Sequence, residues 1–265
     1  MSNHNTRFVG KGETAVVSSR SSGGQSRHIF RLSAVSKRWA GEHGFILTIP
    51  NLTIYKGEKV ALVGISGCGK STLLDLLAMV LRPDNAEEFA FFAAQGEMLD
   101  IMNAWRYRDL DKLAYARMLH MGYVLQTGGL FPFLSVRDNI GLSRHGLGLP
   151  AKSAVEAVAK RLNIERHLDK LPAQLSVGER QRVAIARAMA HEPSVVIADE
   201  PTASLDPINA DEIMALFTQL ANEFDVTLIV ATHDWDRVAD PSFRRLEFEL
   251  QQDETEGTVR ATVCG

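Results

Sequence analysis

The stretch Lys59–Leu81, KVALVGISGCGKSTLLDLLAMVL, decides how the rest of the chain is read. It opens as a short apolar, β-branched run, the composition of a strand buried on both faces of a parallel sheet. It closes as KSTLLDLLAMVL, whose leucine spacing predicts a helix. Between them stand Gly64, Ile65, Ser66, Gly67, Cys68, Gly69, Lys70, Ser71 and Thr72. Glycines here let the backbone curl so that successive N–H groups face one anion. The start of the following helix adds its partial positive charge. Lys70 brings a point charge to β- and γ-phosphates, and the Ser71 hydroxyl is a magnesium ligand. This is the P-loop pattern, with the strand before it and the helix after it that the pattern requires.

Outward from this unit the chain alternates β-rich and helical segments. HIFRLSAVSKRW, from His28, and FILTIPNLTIY, from Phe45, read as strands, and KGE as a turn. MGYVLQT, SVVIADE and VTLIVATHD read as further strands, the last two ending in acidic residues. YRDLDKLAYARMLH, SAVEAVAKRLNI and ADEIMALFTQLANEF read as helices; in the second, Val155, Val158 and Leu162 stand three and four apart. EEFAFFAAQGEML fits either a strand pair or a helix, and RRLEFELQQDETEGTVRATV fits a closing hairpin. Strands alternating with helices, without internal repeats, predict an α/β fold with a mostly parallel sheet.

Bulk properties narrow the function. The 265 residues, 45% hydrophobic, suffice for a sizeable core. The charge balance of 29 basic against 32 acidic residues, net −3, does not point to nucleic acid. Two cysteines, Cys68 and Cys264, make neither a disulfide framework nor a zinc site. No apolar run is long enough to span a membrane. Residues 1–27, rich in Ser, Gly and Asn, lack the apolar region of a secretory signal and read as a flexible tail.

VVIADE, Val195–Glu200, complements the phosphate loop. Asp199 falls at the C-terminal end of a strand, where open α/β sheets bind ligands, and is placed to hold magnesium directly or through water. Glu200, one residue on, is placed to orient and deprotonate a water. A second anion-binding helix start follows from Leu175-Ser176-Val177-Gly178-Glu179 and the arginines after it. One chain thus carries two phosphate-binding helix starts.

These residues resemble the motif set of ATP-binding cassette (ABC) proteins across about residues 28–250. Leu175–Glu179 resembles the signature motif, Gln126 the Q-loop glutamine, Ser204–Asp206 the D-loop, and His233 the switch histidine. The resemblance implies a P-loop NTPase (RecA-like) core, an antiparallel β subdomain and a helical subdomain at about 130–188, all within 28–265. It implies ATP and Mg2+ as ligands, with Ser71, Gln126 and Asp199 at the metal and Glu200, His233 and Gln126 in catalysis. It also resolves the doubled helix start. Two copies pack head to tail, so that Ser176, Gly178 and the adjoining Glu179 meet the nucleotide on the P-loop of the other copy, with Asp206 aligning the interface. A homodimer with two composite sites follows, and a heterodimer is the alternative.

Departures from the family pattern carry their own expectations. Val177 stands where glycine is common. Trp39 takes the place of the adenine-stacking tyrosine, its indole offering a larger face; packing on the surface is the plainer alternative. Cys68 inside the loop predicts that a bulky thiol reagent blocks ATP binding. Residues 83–120 depart from the usual short β-arm, FAFF being core and the arginines of Trp105–Arg108 solvated. The most similar subgroup, judged from Leu175–Asp206, serves lipoprotein release, macrolide export and cell division. That implies a separate membrane permease, docked near Phe131 and Phe133, and a location on the cytoplasmic face of the cell membrane. The alternatives are a signalling complex that moves no cargo and a solute importer.

Overall fold

The computed structural model describes residues 28–40, 44–93, 97–233, 241–253 and 258–265. The tail expected over 1–27 lies outside them, as does Asp234 after His233. Among the described residues, ten strands form one sheet in the order β5-β4-β1-β2-β10-β9-β3-β8-β7-β6. Its parallel half is β9 (Phe243–Asp253), β3 (Lys59–Val63), β8 (Thr227–Thr232), β7 (Val195–Asp199) and β6 (Met121–Val124). Its antiparallel half is β5 (Met98–Asp100), β4 (Glu88–Phe92), β1 (His28–Trp39) and β2 (Phe45–Tyr55). β10 (Thr258–Cys264) joins the halves, antiparallel to β9 and parallel to β2, with Val259 opposite Phe45.

The apolar central strands are buried on both faces, and their alternation separates two cores. Val60 and Leu62 of β3, Val195 and Ile197 of β7, and Ile229 and Ala231 of β8 face one side. There they meet α1 (Lys70–Leu77), α2 (Ile101–Arg106) and α3 (Leu110–His120). Ala61, Val196, Ala198, Leu228 and Val230 face the other, where α6 (Val177–Met189) and α7 (Pro207–Glu223) pack. α4 (Val136–Gly146) and α5 (Lys152–Arg161) extend that second core into the helical subdomain. Leu73, Leu74, Leu76 and Leu77 of α1 are fully buried, each contributing about 1.5–3 kcal/mol.

Two boundaries differ from the sequence reading. α1 stops at Leu77, four residues short of Leu81. Met79 adopts φ +56°, and its carbonyl is taken by Arg117 Nη1 of α3 at 2.8 Å, so the helix cannot continue. The ambiguous 87–99 segment is a strand pair: β4 is stitched to β1, with Phe91 opposite Phe30. Phe89, Phe91 and Phe92 are core, as their sequence suggested.

Candidate functional site

The P-loop runs from β3 into α1 and is shaped by glycines at φ +80° (Gly67) and +105° (Gly69). A Cβ at Gly67 would project into open space above the loop, whereas one at Gly69 would come within 3.0 Å of Phe45 Cζ. Lys70 is 6% exposed, and its Nζ donates to Gly64 O at 2.7 Å and Ile65 O at 3.0 Å. Those loop carbonyls fix the ammonium over the loop.

A cleft of about 530 Å³ opens there, lined by Ser66, Lys70, Ser71, Thr72, Gln126, Asp199 and Glu200 together with Trp39 and Phe45. The structure thus brings Trp39, at the end of β1, to the phosphate loop; it stays 47% exposed, with Lys37 Nζ 5.4 Å from its ring centroid. Phe45 was not singled out in the sequence. It begins an ordinary apolar strand and becomes part of the cleft only because β10 aligns β2 with the core.

Ser71 Oγ donates to Asp199 Oδ2 at 2.9 Å, across 128 residues of sequence. A hydroxyl and a carboxylate in contact at the mouth of the cradle form the hard-oxygen donor set that Mg2+ takes, so these residues fit the metal. Gln126 is exposed and lines the same cleft. Beneath them Tyr123 Oη reaches Asp75 Oδ1 at 3.4 Å. Burial, then the charges of Asp75 and Asp199, push the phenol well above its usual range and keep it neutral.

A second cleft, about 600 Å³, adjoins the first, sharing Ser66 and Glu200 with it and lined also by Gly64 and His233. β7 ends at Asp199, and Glu200 turns out of the strand at φ +45°, its N–H donating to Ala231 O at 3.0 Å. A non-glycine residue there is strained, a feature concentrated at functional sites. His233 Nδ1 donates to Glu200 Oε2 at 2.8 Å. The pair is exposed enough to add little stability; what it fixes is the direction of the carboxylate.

Cys68 corrects one expectation. Its side chain is 1% exposed and points beneath the loop, where a Cβ on Gly64 would lie 2.6 Å from Sγ. A bulky reagent has no approach to it in the folded state, and only the Cys68 backbone belongs to the cradle.

The signature segment stands apart from these clefts. Ser176 and Val177 are exposed, and a Cβ on Gly178 would meet nothing within 4 Å. Ser176 caps α6: its Oγ accepts from Glu179 N at 3.2 Å, and Glu179 Oε2 accepts from Ser176 N at 2.8 Å. Glu179 was grouped with the nucleotide contacts, but its carboxylate is turned back into this capping box. The Ser176 N–H, first among the causes, holds its pKa below the ordinary carboxylate value. Asp206 is likewise an N-cap, of α7, accepting from Asn209 N at 3.2 Å.

Two contacts tie the regions together. Arg187 of α6 donates to Gly129 O at 2.7 Å and Gly128 O at 3.0 Å, joining the signature helix to the loop after Gln126. Buried Asn139 accepts from Phe131 N at 2.8 Å and donates to the carbonyls of Phe131, Leu134 and Ser135. That web presents Phe131 and Phe133 to solvent with ring centroids 5.8 Å apart, so they are surface and not core.

Residues 47–203 match the family described as ABC transporter. The chain is 38% identical over 211 residues to the lipoprotein-releasing system ATP-binding protein LolD of Idiomarina loihiensis, covering 78% of this chain and 88% of that one. Among solved structures it resembles cbiO1 of Clostridium perfringens, part of the ABC transporter complex cbiONQ, at TM-score 0.68 and 31% identity, covering 88% and 87% of the two chains. It also resembles the dimeric post-hydrolysis cassette MJ0796 bound to ADP and Pi, at TM-score 0.66 and 28% identity, covering 87% and 96%.

Proposed function

The chain belongs to the ABC transporter family as an ATP-hydrolysing subunit of the lipoprotein-release type, and from that premise we propose how its residues divide the work. Lys70 and the loop amides of 66–72 receive the β- and γ-phosphates, while Trp39 stacks on the adenine beside Phe45. Ser71 and Asp199, with Gln126 lining the same cleft, would hold Mg2+, which when bound supplies charge neutralisation between the phosphates. Glu200 accepts the proton of the attacking water. His233, by donating Nδ1–H, keeps the Glu200 carboxylate aimed into the cleft beside the γ-phosphate.

The signature segment keeps an open face. Ser176, Val177 and Gly178 present a helix N-terminus to solvent, away from their own P-loop. A second copy of the chain placed head to tail would set this face on the bound γ-phosphate, making two composite sites in a homodimer. Nucleotide-driven closure is then a shift of population between open and closed dimers. Phe131 and Phe133, on their pinned loop, offer an apolar contact to a cytoplasmic helix of a membrane permease. Among the described residues no helix is long and apolar enough to cross a membrane. We place the chain on the cytoplasmic face of the membrane, serving export of a lipid-modified polypeptide or transmission of force across the envelope.

The decisive variant is Glu200→Gln. It should bind ATP normally, form a dimer with ATP and magnesium on size-exclusion chromatography with light scattering, and lose hydrolysis by about 10²–10⁴-fold. Hydrolysis at the wild-type rate would remove Glu200 from the mechanism. Co-purification from native membranes separates the outputs. A permease with few spans and a large extracytoplasmic domain supports export or force transmission, and a compact permease with a solute-binding protein makes the chain an importer subunit.

A further inference from the structure

Glu179 makes one contact that the capping box does not require. His167, in the 3-10 turn Glu165–His167, is 5% exposed and places Nε2 at 2.8 Å from Glu179 Oε1. Its Nδ1 is buried without a hydrogen-bond partner. Arg166 Nε also lies 3.0 Å from Nε2, so two assignments of the proton compete. If Nε2 accepted from Arg166, its lone pair would face a carboxylate and a buried Nδ1–H would go unpaired. With the proton on Nε2, the ring donates to Glu179, and Nδ1 keeps only a lone pair, the cheaper group to bury. His167 Nε2–H is therefore the donor aimed at Glu179.

We propose that His167 is a positioning residue for the composite ATP site, holding the Glu179 carboxylate so that Ser176 faces the nucleotide of the opposite copy. The path is short. His167 Nε2–H fixes Glu179 Oε1; Glu179 Oε2 fixes the Ser176 N–H; Ser176 Oγ is fixed by Glu179 N. The carboxylate is gripped from the helical subdomain at one oxygen and from the helix start at the other. Without the imidazole it can swing toward solvent or toward Arg166, whose Nη2 is 3.8 Å away. Ser176 then loses its set orientation while α6 remains folded. Because His167 belongs to the turn before the signature and not to α6, it also ties the attitude of that turn to the nucleotide contact.

The inference rests on the dimer reading, and its test is built on the Glu200→Gln protein so that the two can fail separately. Glu200→Gln alone must dimerise with ATP; if it does not, the dimer reading fails. Into it are placed His167→Phe, which keeps the ring's bulk and removes the donor, and His167→Gln, whose amide N–H can replace it. Loss of one hydrogen bond per site corresponds to roughly five-fold. Two sites therefore predict a dimerisation constant weakened about 25-fold in His167→Phe and restored within a few-fold in His167→Gln. Binding of a fluorescent ATP analogue to the monomer should be unchanged in both, since the P-loop is untouched. Equal dimerisation in His167→Phe and the parent overturns the proposal. So does equal impairment of the two variants, which would assign His167 to packing alone. Should His167→Phe fail to fold, His167→Leu is the second variant and is read in the same way.

Discussion

Replacing Gly122 with alanine tests the packing that joins the sheet to the signature helix. Gly122 lies on β6 directly beneath α6, and a Cβ there would stand 2.2 Å from Ala188 O, 3.0 Å from the Ala188 carbonyl carbon and 3.0 Å from Val196 Cγ2. The nearest obstacle is main chain, so no rotamer change relieves it. α6 must retreat by roughly 1 Å before ordinary contact distances return. Overpacking of a well-filled core costs about 1–3 kcal/mol, and an obstacle of backbone belongs at the upper end. With Tm falling about 2–4 °C per kcal/mol in a domain this large, Gly122→Ala should melt roughly 6–12 °C below wild type by circular dichroism. ATP hydrolysis should fall with it, because α6 carries the signature at its other end. Gly178→Ala is the control: its Cβ meets nothing within 4 Å, so its Tm should match or exceed wild type, alanine being the better helix former. A Gly122→Ala protein melting within about 2 °C of wild type would refute the close approach of α6 to β6.

Three further outcomes are expected. Maleimide should label Cys264 in the native protein and Cys68 only after unfolding, as mapped by mass spectrometry; rapid native labelling at Cys68 would contradict its burial beneath the loop. Burial holds His120 and His191 below the ordinary histidine pKa of 6.5. The unfolded chain therefore takes up protons that the folded chain refuses, and stability should be complete above about pH 6.5 and decline as pH falls below it. A Tm that is flat or rises from pH 7.5 to 5.5 would contradict this. Finally, Asp199→Asn should raise the magnesium concentration needed for ATP to stabilise the protein thermally by about ten-fold or more, with little change in ATP binding without the metal. An unchanged magnesium requirement would remove Asp199 from the metal site.

The sequence revealed the chemistry more readily than its geometry. Gly67, Gly69, Lys70 and Ser71 act through backbone shape and short-range charge, which local spacing records. Ser176 and Glu179 stand three apart, a helix-cap signature, yet only the coordinates show that this pairing turns Glu179 inward. Ser71 with Asp199 was legible through the shared magnesium role, but two meetings that only the fold creates left no trace: Phe45 with the cleft and His167 with Glu179. The strand pair β4–β5 was ambiguous because what settles it is pairing with β1, which no local periodicity encodes. α2, six residues long, is too short to show a period. The end of α1 was misplaced because Arg117, forty residues beyond Leu77, helps to terminate it.

The placement of β9 and β10 has a consequence for how the molecule is made. β2 and β3 are neighbours in sequence, yet two strands from the far end of the chain are inserted between them. During synthesis the ribosome delivers both flanking half-sheets first. Until the inserting hairpin arrives, β2 and β3 each have a row of unsatisfied main-chain groups, the kind of exposed border through which half-folded chains pair with one another. The nascent protein should therefore need chaperone cover longest at the seam that later brings Trp39 and Phe45 beside the glycine loop.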